Sequence, residues 1–73
     1  MRTEQIKGHD IELAGVRVPN SSSWTAHLTI YGRGTNPMHR NSVFPYQQVC
    51  VETVFNSEQA AEEAALKVAM EML

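Results

Sequence analysis

A chain of 73 residues with one cysteine and a net charge of −2 makes one small domain, spanning 1–73, because an independent core needs about 50 residues or more. Its composition excludes an intramolecular disulfide, since Cys50 has no second cysteine to meet. It also offers no stretch near the ~20 apolar residues that a membrane-spanning helix requires.

The charge is unevenly spread. Residues 1–56 carry five basic and four acidic side chains, whereas 57–73 carry Glu58, Glu62, Glu63 and Glu71 against Lys67. That imbalance disfavours a nucleic-acid grip through the C-terminal segment. Met1 to Lys7 lacks the apolar run of a secretory signal, and with the single cysteine this points to a reducing, cytoplasmic setting.

The first predicted strand holds Ile11 and Leu13 on one parity and Val16 and Val18 on the other. A bulge or bend at Ala14-Gly15 would let both pairs face the core. Pro19 ends this strand and Asn20-Ser21-Ser22-Ser23 makes a turn. Trp24 to Tyr31 alternates strictly: Trp24, Ala26, Leu28 and Ile30 share one face, and Thr25, His27, Thr29 and Tyr31 the other. Residues 32–45 form a connection long for a hairpin, where about 2–5 residues is usual. A third strand is expected from Tyr46 to Phe55, with Val49, Val51 and Phe55 inward and Gln48, Cys50, Glu52 and Val54 outward.

The last segment is a helix from Glu58 onward. It is rich in Ala, Glu, Leu and Met, free of Gly and Pro, and preceded by Asn56 and Ser57 as candidate caps. Ala61, Ala64, Ala65, Val68, Ala69 and Met72 follow one buried stripe at helical spacing. The expected fold is therefore α+β, a three-stranded antiparallel sheet packed against one C-terminal helix (β-β-β-α). Its core is expected to be Ile11, Leu13, Val16, Trp24, Ala26, Leu28, Ile30, Val49, Val51, Phe55, Ala61, Ala65, Val68 and Met72.

Trp24-Thr-Ala26-His-Leu28-Thr-Ile30 and the run from Phe55-Asn-Ser57-Glu58 through Glu63-Ala64-Ala65-Leu66 to Ala69 resemble a group of small bacterial β-β-β-α domains of unknown function. The resemblance covers roughly residues 9–70 and implies the fold alone. The element order also resembles the C-terminal part of a double-stranded-RNA-binding domain. That module carries lysines at its last helix start, where this chain has Ser57-Glu58-Gln59-Ala60-Ala61-Glu62-Glu63, so the resemblance implies architecture and not activity.

Site chemistry is sparse. Cys50 and His27 fall on the same predicted sheet face, yet Glu52 is the neighbour of Cys50 and no surrounding positive charge would activate a thiolate. The chain is expected not to be an enzyme. His9-Asp10 would point to opposite faces of a strand, so no metal is expected, and no cofactor. Arg33, His39 and Arg40 in the long connection, with His27 and Tyr31 on the outer sheet face, are the candidate binding residues.

The expected function is a non-catalytic interaction module that binds another macromolecule. A protein partner or a second copy is expected first; nucleic acid held through the basic 32–45 loop is the alternative. Small chains of this size also occur as phage-encoded inhibitors of host proteins or defence complexes, an analogy from size.

Overall fold

The strictly alternating segment becomes the centre of the sheet. In the strand Trp24–Tyr31 the side chains of Ala26, Leu28 and Ile30 are fully buried, as the two-residue period of a pleated strand with one packed face requires. The computed structural model of the protein describes residues 1–32 and 42–73. In chain order these form β1 (Arg2–Ile6), β2 (His9–Arg17), β3 (Trp24–Tyr31), β4 (Ser42–Val49) and α1 (Glu58–Met72). The sheet is four-stranded in the order β1-β2-β3-β4, every neighbouring pair antiparallel. The protein is thus α+β, with α1 laid against one face of β2 and β3.

The expected three strands are four, because β1 was not anticipated. It pairs with β2 from Arg2 opposite Leu13 to Ile6 opposite His9. The turn between them is Lys7-Gly8, both at positive φ (51° and 83°), the backbone of a two-residue hairpin whose twist matches its strands. Arg2 and Glu4 lie on the helix side of β1. Arg2 Nε donates to Glu4 Oε2 at 2.8 Å and its Nη1 to Glu63 Oε1 of α1 at 2.8 Å. Hydrogen bonding to Glu4, and then to Glu63, pushes the guanidinium further above its ordinary value. A polar strand is thus tied down by charge where the sequence shows little apolar signal.

The expected bulge at Ala14-Gly15 is absent. β2 keeps unbroken register through Ala14 opposite His27, Gly15 opposite Ala26 and Val16 opposite Thr25. Val16 therefore lies on the outer face, 40% exposed, and leaves the expected core. Gly15 does something else: a Cβ there would stand 2.8 Å from the Glu58 carbonyl oxygen. Its missing side chain admits the first turn of α1.

The third expected strand is displaced toward the N-terminus. It begins at Ser42 and ends at Val49, so the connection before it is shorter than residues 32–45, and residues 33–41 lie outside the described chain. Cys50 adopts φ 53° and its carbonyl accepts from Thr53 N at 2.9 Å. That turn takes Val51 out to 69% exposure. The backbone then returns to β3, where Trp24 and Phe55 exchange two 2.8 Å hydrogen bonds. Both rings are half-buried against the core.

Helix α1 starts where Ser57 Oγ accepts from Ala60 N at 3.0 Å, so Ser57 rather than Asn56 is the cap. Ala61, Ala65 and Ala69 are fully buried and the row continues at four-residue spacing to half-buried Leu73. Met72 is consequently turned outward, 49% exposed, and is not core. Ser57→Ala leaves one first-turn amide without its acceptor and should cost about 1 kcal/mol. A shift of the urea midpoint with unchanged slope would report it.

Candidate interaction surface

Three of the four β3 side chains that face away from α1, Thr25, His27 and Tyr31, meet another polar or aromatic group. His27 stacks on Tyr46 of β4 with ring centroids 5.2 Å apart and planes 16° from parallel. Tyr46 shares the outer parity of Gln48, which lies opposite His27, and β4 shifts register just beyond it. Gln47 is opposite Leu28 and Phe44 is opposite Ile30, so Pro45 and Tyr46 together span the single residue Thr29. Thr25 Oγ1 donates to the Val16 carbonyl at 3.3 Å and lies 2.9 Å from His27 Nε2. His27 Nδ1 is buried and has no hydrogen-bond partner among the described residues.

At the other end of the face the Tyr31 hydroxyl donates to Glu12 Oε1, and Gln5 Nε2 donates to Asp10 Oδ1 at 3.2 Å. Thr29 is buried at its middle. The face therefore runs from Val16 and Ala14 at one end to Glu12 and Asp10 at the other, with Tyr46 across Thr29 from Glu12. Among the described residues it carries no lysine or arginine, and no described element packs on it. Tyr46 remains 58% exposed.

Of the expected binding residues, His27 and Tyr31 come together on this face through β3. Arg33, His39 and Arg40 lie outside the described residues. Tyr46, Thr25 and Glu12 were not singled out from the sequence. The even spacing of Tyr46 and Gln48 does carry a signal, since both belong to the outer parity of β4. Cys50, free and half-buried, sits past the end of β4 and not on a strand beside His27. His9 Nδ1 is 2.8 Å from the Tyr31 carbonyl, on the opposite side of β2 from Asp10.

Among the described residues no group of three or more His, Cys, Asp or Glu side chains is placed to hold a metal ion. Nor is any described helix long and apolar enough to cross a membrane. The start of α1 carries Glu58 in its first turn, and Glu62 and Glu63 are engaged by the Met1 amine at 3.5 Å and by Arg2. Fold and surface together define a small α+β domain with one sheet face packed by α1 and the other covered by no described element. No protein-family model, curated protein or solved structure compared with the chain matches it.

Proposed function

We propose that this domain is a non-catalytic interaction module that binds a partner protein through the open face of its sheet. The observation that carries the reading is the His27–Tyr46 stack, an aromatic platform with Tyr46 58% exposed. Aromatic side chains held in place by packing make effective interface anchors because they bury large area at low entropic cost. The charges of this face, Asp10 and Glu12, favour a partner that brings apolar groups with basic ones beside them. They oppose a phosphate backbone. Kinship with the small bacterial domains that the β3 and α1 segments resemble, a cytoplasmic setting, and a role as a phage-type inhibitor of a host protein belong to the same proposal.

The test is capture from host lysate by the tagged protein and by its Tyr46→Glu variant, each with and without nuclease. A protein held equally in both halves, and reduced about tenfold or more by Tyr46→Glu, supports the reading. Capture unaffected by Tyr46→Glu overturns the assignment to this face. Loss of all partners on nuclease treatment overturns the protein-binding reading and moves the weight to nucleic acid through Arg33 and Arg40.

A further inference from the structure

The two edges of the sheet are built differently. β4 contains Pro45, which has no amide proton to offer, and its pairing with β3 shifts register twice, both devices that blunt an edge against another strand. β1 has neither. Its five residues pair with β2 without interruption.

The hairpin fixes which of its backbone groups look outward. Ile6 and His9 close the two-residue Lys7-Gly8 turn, and the closing pair of such a hairpin exchanges both of its hydrogen bonds. Alternation then puts Glu4 and Arg2 in hydrogen-bonded pairs with β2, and leaves the N–H and C=O of Thr3 and Gln5 pointing away from the sheet.

We propose that β1 is a homodimerisation edge, at which two copies join β1 to β1 antiparallel about a two-fold axis through Thr3. The joined sheet would have twice the four strands of one copy, with both helices on one side.

The register follows from charge. Antiparallel partners share a face, so Arg2, Glu4 and Ile6 of one copy can only lie opposite those same positions of the other. An axis at Arg2 places Arg2 on Arg2, and an axis at Glu4 places Glu4 on Glu4; like charges directly opposite are destabilising. An axis at Gln5 sets Glu4 against Ile6 and runs Thr3 into the positive-φ turn residue Lys7. Only the axis at Thr3 places Arg2 opposite Glu4 of the second copy, twice by symmetry.

In that register the two Thr3 residues exchange two backbone hydrogen bonds, and each Gln5 amide reaches the Met1 carbonyl across the edge. Arg2 already uses Nε and Nη1 on Glu4 and Glu63. Its Nη2 has no partner among the described residues and is free for the carboxylate of the second copy. Self-association of this kind also supplies the staple that a small domain without a disulfide otherwise lacks. It uses a strand edge and not the open face, so it stands or falls apart from the reading above.

Sedimentation equilibrium of the purified full chain tests it. Wild type should dimerise with a dissociation constant of roughly 10–100 micromolar, the weak end expected of a small interface. Thr3→Pro removes an outward amide that the intramolecular ladder does not use, and should weaken association about tenfold or more while the circular dichroism spectrum is kept. Arg2→Glu or Glu4→Arg alone should weaken it about tenfold, and the double exchange, made together with Glu63→Lys so that position 2 keeps an ion pair with α1, should return it to within about threefold of wild type. The charge exchange decides the matter even if Thr3→Pro fails to fold. A wild type that stays monomeric to about 1 millimolar overturns the proposal. So does a dimer indifferent to both Thr3→Pro and the charge exchange, as when only Tyr46→Glu disrupts it.

Discussion

Leu28→Ala should lower the unfolding free energy by about 2–5 kcal/mol, while Val16→Ala should change it by no more than about 0.5 kcal/mol. Leu28 sits at the centre of the sheet, opposite Leu13 on one side and Gln47 on the other, and is fully buried beneath α1. Removing three carbons there forfeits their transfer free energy and leaves a cavity that strands fixed on both sides cannot close. A domain of 73 residues typically holds roughly 4–11 kcal/mol of net stability, so the loss is a large share of the total. Val16 is the control that separates two pictures of the core. If a bulge at Ala14-Gly15 turned Val16 inward, its truncation would also be costly. With Val16 facing outward at 40% exposure, little is lost. Urea unfolding of both variants measures the contrast, and equal midpoints would reject the packing described.

What was legible in the sequence follows from what a periodic pattern can encode. β3 and the alanine row of α1 could be read because burial there repeats every two or every four residues, without a break, over the whole element. β1 escaped because its helix side presents Arg2 and Glu4. Its inward signal is an ion-pair network with Glu63, which no hydropathy pattern carries. The β4 region failed for two backbone reasons. Pro45 suggested a loop but lies within an edge strand, where a missing amide is tolerated, and Cys50 enters the left-handed region at φ 53°, a conformation that its residue type does not announce. That single turn accounts for Val51 leaving the core while Phe55 still reaches Trp24. The site was legible to the same degree. His27 and Tyr31 follow from the β3 alternation. Tyr46 shares the outer parity of Gln48, but setting it against His27 requires the register of β4 on β3, which depends on tertiary pairing.

Gly15→Ala should destabilise the domain by about 1–3 kcal/mol. The sign is the informative part. Gly15 is at ordinary strand φ, since the only described glycine at positive φ is Gly8. Where the backbone is compatible, replacing glycine by alanine stabilises by about 0.4–1 kcal/mol through the unfolded chain. The surroundings reverse that expectation. The new methyl would meet the Glu58 carbonyl oxygen at 2.8 Å, Glu58 Cα at 3.0 Å and Ala61 Cβ at 3.1 Å. The two nearest atoms belong to the backbone of the first helical turn and cannot rotate aside. Relief requires α1 to lift from β2 at the end where Ser57 caps it, weakening the contacts of Ala61 and Ala65 together. For a domain of this size each kcal/mol corresponds to about 4–8 °C in melting temperature, so the fall should be plain in a thermal melt. Adding Ala61→Gly removes only the third contact and should not restore stability. A Gly15→Ala variant that melts at or above wild type would mean that α1 does not approach β2 as closely as its alanine row allows. The alanines at 61, 65 and 69 and the glycine at 15 are then one device: small side chains on both surfaces, letting helix and sheet meet at short range where the chain is too short to fill a deeper core.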